Sequence, residues 1–93
     1  MSDHIENPEP IWQPVESVVR QANGLVVYFR NERSGRWQCF VPWAARIVVE
    51  GKPFYERPAD DQIKELPGMF ARLRFDDHNP TLVIKAEFRK EIP

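Results

Sequence analysis

Cysteine and long apolar segments are both scarce in this sequence. The one cysteine, Cys39, excludes an internal disulfide and a cysteine zinc cluster, and an isolated reduced thiol is usual in a cytoplasmic protein. No apolar run approaches the ~20 residues that a membrane helix needs. Residues 1–10 contain neither Lys nor Arg, so we expect no secretory signal there. The sequence therefore predicts a cytoplasmic protein without a membrane partner.

The side chains from which catalytic and metal sites are built are also few. The two histidines are His4, near the N-terminus, and His78, in an Asp-Asp-His-Asn-Pro run that is typical of a turn. We interpret Asp76, Asp77 and His78 as turn residues rather than metal ligands. The four glycines, at 24, 35, 51 and 68, are too dispersed for a phosphate-binding loop. We therefore expect no enzyme activity, no catalytic residues, no metal site and no cofactor.

The composition is that of one small globular domain. The chain has 93 residues, of which 42% are hydrophobic, 12% aromatic and 29% charged, with a net charge of -1. Residues 1–19 hold four acids and no base, residues 20–57 hold seven bases and three acids, and residues 58–93 hold six bases and seven acids. Arginine predominates in the basic middle and suits forked contacts to phosphate. A solvated surface with scattered charge is the simpler interpretation of these counts.

The N-terminal segment differs from the rest of the chain. Prolines at 8, 10 and 14 disfavour a regular helix or strand, which predicts a Pro-rich acidic tail over residues 1–14. Within it, Ile11 and Trp12 are expected to dock onto the edge of the domain, because leaving them exposed would forgo their burial. Residues 15–93 are predicted to form a single β-barrel domain.

The body of the chain has the pattern of strands joined by tight turns. Asn23-Gly24 predicts a hairpin, because this dipeptide accepts positive φ at both turn positions. One helix is predicted over residues 58–66, with Asp60 or Asp61 as its N-cap. The predicted strands are 15–22, 25–30, 36–41, 44–50, 69–75 and 81–89, with residues 54–55 pairing back after a turn at 50–53.

Alternation assigns an inner and an outer face to the two C-terminal strands. The predicted core positions are Met69, Ala71, Leu73 and Phe75 of one strand and Leu82, Ile84, Ala86 and Phe88 of the other. Thr81, Val83, Lys85, Glu87 and Arg89 are predicted to face outward on the last strand, and Phe70, Arg72 and Arg74 on the strand before it.

The same alternation in the middle strands gives the main functional indication. The predicted inward positions are Leu25, Val27, Phe29, Trp37, Cys39 and Val41. The predicted outward positions are Val26, Tyr28, Arg30, Arg36, Gln38 and Phe40. Outward aromatic rings flanked by arginine are typical of a surface on which bases stack, at ~1–3 kcal/mol per base. The competing interpretation is that residues 11–12 or residues 54–55 cover these rings.

The order of elements indicates the fold class. Three strands, a short helix or turn, and two further strands are the plan of a small five-stranded OB-like barrel, which is the predicted mainly-β architecture. An SH3-like barrel is the alternative, since it also combines five strands with tight turns.

Three segments carry a resemblance to a known family. Residues 24–29 read Gly-Leu-Val-Val-Tyr-Phe, residues 40–47 read Phe-Val-Pro-Trp-Ala-Ala-Arg-Ile, and residues 66–75 contain a strand that follows Pro-Gly. The first two are similar to the opening strand and to the Phe-Val-His-aromatic-Ser-Ala-Ile segment of cold-shock domains, with Pro42 in place of the His. The third resembles the Gly-led strand of cold-shock and S1-type OB-fold domains. This resemblance implies Tyr28, Phe40 and Trp43 as stacking residues.

Two hypotheses of function follow. The first is a non-catalytic module that binds single-stranded DNA or RNA, with Tyr28, Phe40 and Trp43 stacking on bases beside Gln38. Its expected phosphate contacts are Arg20, Arg30, Arg36 and Arg46. The second is a protein-interaction module, an adaptor or inhibitor that docks on a larger complex, with self-association as a variant. The acidic tail could also fold over the basic strands and compete with nucleic acid.

Overall fold

The protein is mainly β-structure, as the sequence predicts. A computed structural model describes residues 11–31, 35–54 and 58–92. The strands are β1 (Gln13–Gln21), β2 (Gly24–Asn31), β3 (Gly35–Pro42), β4 (Arg46–Val49), β5 (Lys52–Pro53), β6 (Phe70–Phe75) and β7 (Val83–Arg89), and the helix is α1 (Asp60–Lys64). The first strand begins two residues earlier than predicted, inside the segment assigned to the tail. Residues 1–10 and Tyr55 lie outside the described residues.

All seven strands belong to one sheet, in the order β3-β2-β1-β6-β7-β4-β5. Neighbouring strands are antiparallel except β4 and β7, which are parallel. The sheet has seven strands rather than five and is not closed, because β3 and β5 form its two edges in the described part of the chain. The additional strands arise because residues 44–50 shorten to β4, which pairs with the distant β7, and then turn into β5.

A bend in β1 allows the sheet to enclose a core. A register shift between Val15 and Ser17 leaves the start of β1 paired with β6 and the remainder paired with β2. A strand that passes from one sheet half to the other through such a bulge turns a corner. The two halves then face one another, and their inward side chains form one cluster that includes Phe29, Val41, Leu73, Ala86 and Phe88.

The helix closes one end of this core. Ile63 and Leu66 are buried at 6% and 1% exposure, as their apolar spacing predicts. The helix is shorter than predicted, and its N-cap is Ala59 rather than an aspartate. The Ala59 backbone N–H donates to Gln62 Oε1 over 2.8 Å, as the N-cap N–H does in a capping box. Asp60 and Asp61 occupy the first turn, where the helix dipole favours negative charge.

The hairpin between β1 and β2 is present, but its turn differs from the prediction. Gln21 pairs with Gly24, so the turn consists of Ala22 and Asn23, and neither these residues nor Gly24 has positive φ. Positive φ at both turn positions occurs instead at Glu50 (52°) and Gly51 (79°), between β4 and β5. The strongest turn dipeptide of the sequence therefore has a different role, in which Gly24 provides space rather than φ freedom.

Prediction of the inward face is wrong at the start of β7. Phe75 pairs with Val83 and Arg74 with Lys85, which leaves Ile84 as the extra residue of a β-bulge. Since side chains alternate with a period of two, one inserted residue moves the preceding residues of the strand to the opposite face of the sheet. Val83 is therefore buried at 1% exposure, whereas Leu82 and Ile84 are each 40% exposed.

The neighbouring strand keeps its predicted face until its last residue. Met69, Ala71 and Leu73 are buried, but Phe75 is 36% exposed at the end of the β6–β7 hairpin. On the N-terminal side, Trp12 docks on the domain, where the Arg72 guanidinium lies 4.7 Å from its ring centroid. Ile11 remains 73% exposed rather than docked. No helix among the described residues has the length and hydropathy of a membrane span.

Candidate nucleic-acid interface

Tyr28 and Phe40 lie on the same face of the sheet, as alternation predicts. In the β2–β3 register Tyr28 is opposite Gln38 and Val26 is opposite Phe40, so the two rings are diagonal neighbours. Val27 and Phe29, which flank Tyr28 on β2, point inward and are no more than 1% exposed. Phe40 is 41% exposed and Tyr28 is half-buried. We call the outer surface of β1, β2 and β3 the aromatic face.

One row of residues across the aromatic face is apolar. Val19, Val26 and Phe40 are directly opposite one another across the three strands. Val26 points to the outer face as predicted, but its flanking neighbours reduce its exposure to 7%. Phe40 also extends over Gly24, because its ring atom Cζ lies 2.9 Å from the place where a Gly24 Cβ would stand. These contacts hold the ring against the sheet while its other side remains open to solvent.

Polar and charged side chains continue the aromatic face beyond the rings. Gln38 is exposed beside Tyr28, and Ser17 faces Tyr28 from β1. Arg30 has a side chain 76% exposed, with its Nε 3.8 Å from Glu16 Oε2. Arg36 is opposite Arg30 in the register, and its side chain is outside the described part of the structure. The face therefore combines stacking, hydrogen-bonding and cationic groups within three adjacent strands.

Trp43 and Arg20, both predicted to contact nucleic acid, lie elsewhere. Arg20 pairs with Leu25, so it is on the inner side of the sheet rather than on the aromatic face. Its guanidinium lies 5.7 Å from the Trp43 ring centroid and also binds Asp60 Oδ1 at 2.9 Å. The indole Nε1–H of Trp43 donates to the Ala22 carbonyl oxygen over 2.8 Å. These two residues join the β1–β2 hairpin to α1 and the core.

Arg46 is also separate from the aromatic rings. It stands on β4 beside Lys85 of β7, and Lys85 in turn stands beside Arg74 of β6. We call the outer surface of β6, β7 and β4 the basic face; its charged residues are Arg46, Arg72, Arg74, Lys85, Glu87 and Arg89. Four of its bases were not selected from the sequence. The alternation of β6 and β7 indicated their direction, but nothing local indicated that Arg46 would join them.

Residues 11, 12 and 54, which belong to the two segments expected to cover Tyr28 and Phe40, do not lie over these rings. Trp12 contacts Arg72 on β6, and Ile11 is largely exposed. Phe54 packs against the hydrophobic core from the side of β4. Neither described segment therefore lies on the aromatic face.

Within the described part of the chain, two titratable groups have an altered pKa. Burial raises the pKa of the Cys39 thiol, which keeps this half-buried side chain protonated and poorly nucleophilic. Burial alone would also raise the pKa of Glu87, but the hydrogen bond from Arg72 and the charges of Arg72, Lys85 and Arg89 outweigh it and lower the pKa. Glu87 is therefore an anion that holds the basic face together.

The predicted turn at residues 76–80 is organised by its own side chains. The Asp76 carboxylate accepts hydrogen bonds from the backbone N–H groups of His78 (3.1 Å) and Asn79 (3.0 Å). This use of Asp76 is typical of a turn-forming aspartate. Among the described residues no three His, Cys, Asp or Glu side chains gather as metal ligands would.

No protein-family model, curated protein or solved structure matches this chain significantly.

Proposed function

We propose that this protein is a non-catalytic, cytoplasmic module that binds single-stranded DNA or RNA. The observation that carries the proposal is the position of Tyr28 and Phe40 as diagonal neighbours on one outer face, with Phe40 41% exposed. Every base has a flat π-face, so a pair of outward rings binds unstacked bases with little regard to sequence. Paired bases in a duplex are not available for such stacking, which favours a single strand.

The neighbouring groups supply the other contacts that a single strand requires. Gln38 stands beside Tyr28 and offers both donors and acceptors to a base edge. Arg30 projects from the end of the same face and reaches a phosphate, with Arg36 next to it on β3. Each phosphate that is neutralised releases condensed counterions, so the affinity falls as salt rises.

We also infer that the sheet is an open variant of the OB plan. In support, β1, β2 and β3 form a meander, β1 pairs with β6, and β6 pairs with β7. β4, the strand that follows β3, pairs in parallel with β7, and α1 lies between β5 and β6 in the chain. The cold-shock-like segments at 24–29 and 40–47 coincide with β2 and with the β3–β4 passage. In OB-fold proteins the equivalent strand surface binds oligonucleotides.

The experiment that tests the proposal is a binding titration at low salt. Fluorescently labelled mixed-sequence single strands of DNA and RNA are titrated with the full-length protein, and anisotropy is measured from 50 mM to 300 mM NaCl. We expect saturable binding to at least one strand type, with log K falling linearly against log salt, and weaker binding to a duplex of the same sequence. Flat titrations with both single strands would refute the proposal.

A protein-interaction module is the second candidate, and one observation favours it. Phe75, Leu82 and Ile84 are between 36% and 40% exposed at the end of the β6–β7 hairpin. Contiguous exposed apolar residues of this kind often mark a protein contact. Sedimentation equilibrium tests its self-association variant, which requires a concentration-dependent mass that an Ile84→Lys substitution abolishes.

A further inference from the structure

The basic face contains a row of three cationic residues. Arg74 is directly opposite Lys85, and Lys85 is directly opposite Arg46, so the row crosses β6, β7 and β4. Like charges that stand directly opposite in a sheet are destabilising. This repulsion therefore lowers the stability of the folded protein, and an anion bound to the row would offset the repulsion.

Glu87, the one acid of the basic face, pairs with Lys85 but leaves the two outer bases of this row without an acidic partner among the described residues. Glu87 Oε1 is 3.0 Å from Arg72 Nη2 and 3.7 Å from Lys85 Nζ, so one carboxylate serves two bases. Arg46 and Arg74 are exposed and form no ion pair with any residue that the structure describes. With Arg89, the face has five bases and one acid, in a chain whose net charge is -1. The basic face therefore has a local excess of positive charge.

The shape of the row indicates an extended ligand. Adjacent strands are about 4.8 Å apart, so the backbones of Arg46 and Arg74 are separated by about 10 Å across the face. The three side chains follow one another across the face, from β6 through β7 to β4. A chain of phosphates can contact them in succession.

We propose that the basic face binds the phosphate chain of a nucleic acid, with Arg46, Lys85 and Arg74 as the contacts. This inference rests on the proposed function and assigns it a second surface. The aromatic face includes β1, and the first residues of β1 border β6 of the basic face. Because β1 bends between the two sheet halves, a strand that contacts both faces must pass around this bend. Trp12 contacts Arg72 at the edge of the basic face, so we expect its fluorescence to change when the ligand binds.

The experiment compares two double variants with equal loss of charge. Arg46→Gln with Arg74→Gln removes two bases that form no ion pair with a described residue, so no ion pair between described residues is broken. The control, Lys52→Gln with Lys64→Gln, removes two exposed lysines from β5 and α1, off the basic face. Both are titrated with single-stranded oligonucleotide by anisotropy as a function of salt. Inorganic polyphosphate, which has phosphates and no bases, is the second probe.

Loss of two phosphate contacts reduces the slope of log K against log salt by about 1.4 for a single strand, which is about 25-fold in affinity at 0.1 M salt. We expect this loss in the Arg46/Arg74 variant and not in the control, for both probes. A Tyr28→Ala/Phe40→Ala variant should weaken oligonucleotide binding alone and retain polyphosphate binding.

The outcomes separate this inference from the proposed function. Equal slopes and affinities for the two charge variants would overturn the inference, while oligonucleotide binding that still depends on Phe40 would leave the proposed function intact. Binding of polyphosphate but not of oligonucleotide, lost in the Arg46/Arg74 variant, would refute the proposed function and retain a phosphate-chain surface. Binding of neither probe to the unmodified protein would overturn both.

Discussion

The Phe40 ring packs over the backbone of Gly24, with Cζ 2.9 Å from the place where a Cβ would stand. The same Cβ would also meet the Val41 carbonyl oxygen and, at 2.8 Å, the Pro42 Cα. Gly24 is therefore the residue that permits β3 to approach β2 at this end of the sheet. Because Gly24 has no side chain, the Phe40 ring can also pack directly on its backbone.

Gly24→Ala should destabilise the protein because two of the three atoms that its Cβ meets belong to the backbone and move only with the strand. We expect a loss of about 2–3 kcal/mol in the free energy of unfolding, measured by urea denaturation. The control is Asn23→Ala, whose exposed side chain precedes Gly24 and whose backbone carbonyl still accepts the bond from Trp43. Equal stability of the two variants would contradict this account of Gly24.

Trp43 is expected to act on stability rather than on ligand binding. Trp43→Phe removes the indole N–H that donates to Ala22 and weakens the contact with Arg20. The expected loss is about 1–2 kcal/mol of unfolding free energy by thermal or urea denaturation. Oligonucleotide affinity should stay within about two-fold of the unmodified protein, since the residue is on the inner side of the sheet. A stable variant with strongly reduced affinity would restore Trp43 as a stacking residue.

Glu87 should make stability depend on acid pH. Its pKa is lowered in the folded protein, so its stabilising contribution is complete above the ordinary glutamate value of about 4.3 and is lost as pH falls through the folded value. We expect Glu87→Gln to lower the unfolding free energy by about 1–3 kcal/mol at pH 7, because Arg72 loses a charged acceptor. The difference between the two proteins should shrink below pH 4. Urea denaturation at pH 7 and pH 3 measures it, and an equal difference at both values would contradict the assignment.

Local sequence patterns were sufficient for the middle of the fold. The alternation in residues 25–29 and 37–41 gave the inward set correctly, because both strands are regular and pair through one short connection. The position of Tyr28 and Phe40 on a common face followed from the same periodicity. Turn residues also located the hairpin ends, although φ freedom was needed at Glu50 and Gly51 rather than at Gly24.

Two features could not be predicted because they depend on distant parts of the chain. The bulge at Ile84 changes the faces of Leu82 and Val83, and no local residue type marks an insertion in a strand of β-branched and apolar side chains. The parallel pairing of β4 with β7 joins residues about forty positions apart. It brings Arg46 beside Lys85 and creates the basic face, so alternation within each strand could not reveal that surface.

The acidic N-terminal segment should weaken nucleic-acid binding. Residues 1–10 hold three acids and no Lys or Arg, and they lead into a strand that borders β6 of the basic face. Deleting residues 1–10 should therefore raise oligonucleotide affinity several-fold at 50 mM salt and much less at 300 mM, because screening already removes the repulsion. Anisotropy titrations measure the change. Unchanged or lower affinity would exclude competition between this segment and the ligand.

The most direct test of the central claim compares two exposed phenylalanines. Phe40 is 41% exposed on the aromatic face and Phe75 is 36% exposed at the far hairpin, so the two alanine variants remove equal and similarly exposed rings. The affinity for a labelled single strand at 100 mM salt is measured by anisotropy. The account predicts that Phe40→Ala weakens binding by about 5- to 150-fold and that Phe75→Ala changes it by less than about two-fold. Equal effects of the two substitutions, or none from Phe40→Ala, would contradict it.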